Sequence, residues 1–114
     1  MSVHLLNDTD FLNEGLTQED VDLAKINAEK GNPEAQYHLA MMFDTGSGVK
    51  RNPKEAEKWY KKAVLQGHVG AEYYLAKMYS ADTSGVGKNE EEALRLFKSA
   101  AEKGHQGALA KLYN

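Results

Sequence analysis

Apolar residues recur along this chain at helical spacing, and the same arrangement of them comes twice. Ala35 to Gly67 reads AQYHLAMMFDTGSGVKRNPKEAEKWYKKAVLQG, and Ala71 to Gly104 reads AEYYLAKMYSADTSGVGKNEEEALRLFKSAAEKG, the same plan with one residue added in the middle. Stepping about 100° per residue puts Ala35, His38, Leu39, Met42 and Phe43 on one arc of a first helix. A second helix gathers Ala56, Trp59, Tyr60, Ala63 and Val64 on one face and Lys54, Lys58, Lys61 and Lys62 on the other. Glu57 lies one turn before Lys61, the favourable order for a pair on an exposed helix face. In the second copy Ala71, Leu75, Met78 and Tyr79, then Ala93, Leu96, Phe97 and Ala100, take the corresponding places.

Punctuation residues mark the ends of these helices. Thr17, followed by Gln18, Glu19 and Asp20, is an N-cap with acids in the first turn, Val21, Leu23, Ala24, Ile26 and Ala28 supply the apolar positions of that helix, and Gly31 suits the residue just past its end. Asn32-Pro33 and Asn52-Pro53 each offer an N-cap and a proline at the first helical position. Gly46 and Gly48 break the first hairpin. Gly67-His68 and Gly104-His105 mark the joints between repeats, and a further first helix starts at Ala108. The resulting organisation is a segment 1–16, a half-repeat helix 17–31, repeat one 32–67, repeat two 68–104 and a truncated third repeat 105–114. Segment 1–16, with Leu5, Leu6, Phe11 and Leu12, reads either as a cap over the first repeat's open face or as a partly ordered tail.

A helix pair recurring with a period in the 30s is the signature of an α-solenoid. One hairpin cannot bury both of its apolar faces, so each needs a neighbour. Ala35, Ala40, Ala56 and Ala63 provide the short side chains between which Leu39, Phe43, Trp59 and Tyr60 interdigitate. The expected fold is all-α, a superhelix of helix-turn-helix repeats with two full repeats and flanking half-repeats.

The pattern A-x-x-x-L-[GA]-x-x-[YF], G-x-G-V, A-x-x-W-[YF]-x-K-A and a closing glycine resembles the Sel1-like repeat family. It is carried here by Ala35, Leu39, Ala40, Phe43, Gly46, Gly48, Val49, Ala56, Trp59, Tyr60, Lys62, Ala63 and Gly67. The second copy carries it through Ala71, Leu75, Ala76, Tyr79, Gly85, Val86, Ala93, Leu96, Phe97, Ala100 and Gly104. Ala40 and Ala76 replace the usual glycine, Leu96 replaces tryptophan, and the second turn is longer. The resemblance covers residues 17 to 114. It implies a right-handed superhelix and a scaffold or adaptor role, often in bacterial signalling or host interaction, without a shared catalytic site.

Composition narrows the chemistry. The 114 residues carry a net charge of −3 with interleaved lysines and glutamates, which argues against phosphate-backbone binding to nucleic acid. There is no cysteine, hence no disulfide framework, thiolate metal site or cysteine nucleophile. The first residues lack the cationic start and apolar core of a signal peptide, and no run approaches the ~18 apolar residues of a membrane span. A cytoplasmic protein is the expectation, with no cofactor.

The candidate functional row lies on the first helices, at positions that the repeat pattern leaves free: Tyr37, Met41 and Asp44 in repeat one, Tyr73, Lys77 and Ser80 in repeat two. First helices line the concave side of such a solenoid, so this row is expected to form a groove for a peptide or protein segment. Tyrosines would serve as anchors, a methionine as an adaptable contact, and Asp44 and Lys77 would set register. The competing reading is that both tyrosines pack against neighbouring repeats. Gly85-Val86-Gly87-Lys88 lacks the phosphate-loop spacing and a preceding strand. His38, His68 and His105 read as capping or surface residues rather than metal ligands. No catalytic constellation is apparent. An interaction module is therefore the leading expectation, ahead of an immunity-type inhibitor of a protein partner and of a hydrolase or small-molecule binder. A monomer or weak end-to-end dimer is expected.

Overall fold

Each helix begins at a residue that can accept a backbone hydrogen bond. The computed structural model describes residues 16–82 and 84–113, and among them six helices follow one another: α1 Gln18–Glu29, α2 Pro33–Thr45, α3 Pro53–Leu65, α4 Val69–Ser80, α5 Glu90–Glu102 and α6 Gln106–Tyr113. Thr17 and Asp20 form a reciprocal capping box at α1. Asn32, Asn52 and Asn89 accept from Ala35 N, Glu55 N and Glu92 N at the starts of α2, α3 and α5. At α4 the cap is an imidazole, His68 Nδ1 accepting from Ala71 N at 3.0 Å. His105 Nδ1 does the same for Ala108 N at 3.2 Å. Pro33 and Pro53 stand at the first helical positions, where no amide donor is needed.

The helices pack in chain order, α1 on α2, α2 on α3, α3 on α4, α4 on α5 and α5 on α6. The result is an elongated superhelix of helix pairs, 52 × 27 × 25 Å. Alanines 40, 56, 63, 76 and 100 are fully buried and let Tyr60, Leu39 and Leu96 fill the space between helices. At the joint between repeats Gly67 adopts φ 81°, a left-handed conformation open to glycine at little cost, and His68 N then bonds back to Ala63 O. Within the second hairpin Gly85 has φ 95°, and a Cβ there would stand 2.7 Å from Pro53 at the start of α3. The turn of repeat two is thus pressed onto repeat one. Arg51 joins the two turns as well, donating to Asp44 O at 2.9 Å and to Ser84 O at 3.2 Å.

Three expectations from the pattern change. His38 is exposed and faces Glu34, whereas the buried arc of α2 holds Gln36, Leu39, Ala40 and Met42. The wheel admitted His38 and omitted Gln36 by residue type. Gln36 is tolerated inside because its amide is satisfied, donating to Ala28 O and accepting from Gln66. On α1 the apolar Leu23 and Ile26 are 57% and 47% exposed, and only Val21 and Ala28 are buried. Finally, Tyr37, Met41 and Tyr73 border the core instead of standing clear of it. The expected cap or tail over residues 1–16 falls, apart from Leu16, outside the described residues.

Candidate partner-binding face on the first helices

The six candidate residues share the side where α2 and α4 approach each other, and they differ in how much of each is already engaged. Tyr37 is half-buried. Its ring stacks on His68 of the next repeat with centroids 4.4 Å apart, and it lies so close to Gly70 that a Cβ there would stand 3.1 Å from the ring. Tyr73 repeats this one unit later, stacked on His105 at 4.3 Å and closed against Gly107. The two tyrosines therefore stitch each repeat to its successor, and the glycines two residues past each capping histidine make room for them. Each stacked pair adds about 0.5–1.5 kcal/mol beyond its buried area.

Between the two stitches stands Tyr74, which the row omitted. Its ring is parallel to that of Tyr60 at 6.4 Å, tilted against Tyr37 at 6.1 Å and edge-on to Tyr73 at 5.2 Å. Tyr74 occupies in repeat two the place of His38 in repeat one. The helical period assigns that place to the core, so the repeat pattern does not mark Tyr74 as a surface aromatic. It is half-buried and joins the aromatic groups of both repeats into one continuous surface.

Charge flanks this surface on both sides. Asp44 Oδ2 accepts from the phenol of the fully buried Tyr60 at 3.3 Å. Burial, and then the adjacent carboxylate, push the Tyr60 phenol far above its ordinary range. The Tyr37 phenol is raised too, by burial first and then by Tyr74 and Glu34. Lys77 is exposed, and its ammonium lies 5.4 Å from the ring centres of both Tyr73 and Tyr74. It makes no ion pair among the described residues. Ser80 is exposed and donates to Lys77 O at 3.0 Å, and Met41 is half-buried between Tyr37 and Asp44 along the helix. The row also runs on to Ala110, which is exposed, and to Asn114, outside the described residues.

Among the described residues no three His, Cys, Asp or Glu side chains gather as metal ligands do. His68 and His105 each use Nδ1 as a helix cap, and His68 Nε2 lies 2.7 Å from Glu34 Oε2. No described helix is long and apolar enough to cross a membrane.

The pattern of the Sel1 repeat matches residues 33–68 and 69–105, with joints at the capping histidines. The chain belongs to the Sel1 repeat family. A Sel1 repeat protein from Oxalobacter formigenes superposes with a TM-score of 0.77 at 31% identity, covering 91% of this chain and 80% of that one. A protective antigen of uropathogenic Escherichia coli strains with the same fold superposes at 0.80 and 34% identity, covering 92% of this chain and 23% of that one. Cysteine rich protein B of Helicobacter pylori, at 23% identity and a TM-score of 0.76, shares the fold. Among characterised relatives, an exopolysaccharide production negative regulator of Rhizobium leguminosarum bv. viciae is 46% identical over 41 residues. A DAP3-binding cell death enhancer of Rattus norvegicus is 31% identical over 57 residues. The matched segments take in 36% and 50% of this chain but only 15% and 11% of those two proteins. Sel1 repeat proteins are in general protein-interaction modules, and their fold is typically a non-catalytic scaffold.

Proposed function

We propose that this chain is a non-enzymatic interaction module of the scaffold or adaptor type, which holds a peptide or protein segment along the face running from Tyr37 and Met41 to Lys77 and Ser80. The observation that carries the reading is Lys77: an exposed cation without a carboxylate partner among the described residues, set over two tyrosine rings and beside a continuous aromatic surface. A partner carboxylate next to an apolar side chain would satisfy both features at once. Asp44, already tied to Tyr60, sits at the other end and sets direction. Tyr37 and Tyr73 contribute their free edges, since one side of each ring is committed to the next repeat. Tyr74 and Met41, each partly exposed beside the core, supply further apolar contact.

Affinity capture from the native host, followed by mass spectrometry, identifies the bound protein, and variants then locate the contact. Lys77→Glu and Met41→Glu are expected to reduce capture of that protein at least tenfold, while Lys61→Glu on the opposite side of the hairpin leaves it intact. Circular dichroism checks that the three variants remain folded. Equal loss with all three, or with none, sinks the reading.

A further inference from the structure

α3 and α5 hold the same place in successive repeats, Trp59 answering to Leu96 and Ala63 to Ala100. Their buried faces agree, so their outer faces can be compared residue by residue. On α5 the outward ridge reads Glu91, Arg95, Lys98 and Glu102, a mixture of both signs. On α3 the same positions are Lys54, Lys58, Lys61 and Leu65. All four are exposed, and they fall within an arc of about 60° along about 16 Å of helix. The fold asks for neither Lys54 nor Leu65 in these places, since α5 carries a glutamate in each.

Both exchanges run against local stability. Lys54 stands in the first turn of α3, where the helix dipole favours an acid such as Glu91. Leu65 is 87% exposed, the highest value for a large hydrophobic among the described residues. Cations gather around the two. Residues 50–62 hold Lys50, Arg51, Lys54, Lys58, Lys61 and Lys62 against Glu55 and Glu57, in a chain whose net charge is −3. Glu55 pairs with Lys58 and Glu57 with Lys61, each at 3.5 Å, and Glu57 also accepts from the Tyr79 phenol. Exposed pairs of this kind contribute little, so both lysines remain open to an outside carboxylate. Lys50, Lys54 and Lys62 have no ion pair among the described residues.

We propose that the outer ridge of α3 is a second docking surface, for an acidic helix of a partner protein. Carboxylates one turn apart on that helix face Lys54, Lys58 and Lys61, and an apolar residue farther along it covers Leu65. A helix fits because the three lysines themselves recur at helical spacing along one ridge. An anionic membrane fits less well. The apolar side of α3, with Ala56, Trp59, Tyr60 and Ala63, is buried, which leaves Leu65 alone to enter lipid. The ridge lies apart from the face of Tyr37 and Lys77, and the proposal stands whether or not that face binds. The two surfaces take different partners, so a change at Lys61 affects this one alone.

Trp59 is the chain's one tryptophan, and Lys58 and Lys62 lie 4.9 and 5.6 Å from its ring centre, so its emission reports on the ridge. The probe is a tryptophan-free synthetic helix with glutamates matched to the three lysines and a leucine matched to Leu65. It is expected to shift Trp59 emission and the amide resonances of α3, with affinity falling several-fold as salt is raised. Lys54→Glu/Leu65→Glu, which copies the residues of α5, should weaken binding about tenfold without lowering the melting temperature. Lys77→Glu should leave binding unchanged. A clearly lowered melting temperature in the double variant would show that the two residues serve the fold, and would overturn the proposal. Equal binding of a peptide with lysines in place of the glutamates, equal loss with Lys77→Glu, or no binding would overturn it too. Adsorption to phosphatidylserine vesicles that the double variant abolishes, with no response to the peptide, would assign the ridge to a membrane instead.

Discussion

Glu72 and Gln36 hold the same place in successive repeats and satisfy it differently. Gln36 bonds through both ends of its amide, whereas Glu72 receives Ser99 and Lys103 on Oε2 and leaves the buried Oε1 without a partner among the described residues. A buried carboxylate that loses its cation is costly, while a matched neutral pair is not. Lys103→Ala is therefore expected to lower unfolding free energy by about 1 kcal/mol, the lysine head being partly exposed. The double variant Glu72→Gln/Lys103→Gln copies the Gln36–Gln66 arrangement and should recover most of that loss. Denaturant melts of the single and double variants decide it. A double variant no better than the single would mean that the two repeats are not interchangeable at this position. Such pairings were not legible beforehand, because they join residues some 30 positions apart whose types differ between repeats. Tyr74 was hidden for another reason: its place, held by His38 in repeat one, falls on the arc that the helical period assigns to the core.

At the scale of the elements the sequence was far more informative. Thr17, Asn32 and Asn52 cap the helices that their positions announced, because capping depends on a side chain and an amide three residues apart. The outer lysines of α3 and its inner Trp59, Tyr60 and Ala63 also lie where the helical period puts them. The period fails on α2 and α1 because those helices meet neighbours on more or fewer sides than one stripe describes. The turns are the stricter elements. Gly87 has φ 87° with no atom within 4 Å of an added Cβ, whereas Gly85 combines φ 95° with the approach to Pro53. Gly87→Ala should cost about 1–2 kcal/mol, the left-handed strain alone. Gly85→Ala should cost clearly more, since the turn must also lift from α3. Thermal melts of the two variants compare them directly, and equal losses would show that the turn is not pressed onto repeat one.

Over the whole molecule the tyrosines set an upper pH limit. Tyr37, Tyr60 and Tyr79 all have raised values, burial being the main cause, with Glu57 accepting from Tyr79 at 2.6 Å and Asp44 from Tyr60. Unfolded, each ionises at the ordinary value of 10.0. Below that pH both states keep the protons and stability is unaffected. Above it the unfolded chain releases protons that the folded chain retains, so stability falls by up to about 1.4 kcal/mol per pH unit for each tyrosine. Urea melts from neutral to strongly alkaline pH should give a level curve that bends down past 10.0. Tyr79→Phe should make the decline shallower. A curve that stays level would contradict the burial assigned to these phenols.

Among the described helices the substantial contacts join only neighbours in sequence, and this has a bearing on the chain's birth as well as its shape. As the polypeptide emerges during synthesis, each helix finds its main packing surface already made by the one before it. Among the described residues no strand waits for a distant partner, and little loop-closure entropy delays assembly. Folding can keep pace with elongation from one hairpin to the next, exposing a single fresh apolar face at a time. The most vulnerable moment is then when Trp59 has been made and the alanines and Leu75 of α4 have not.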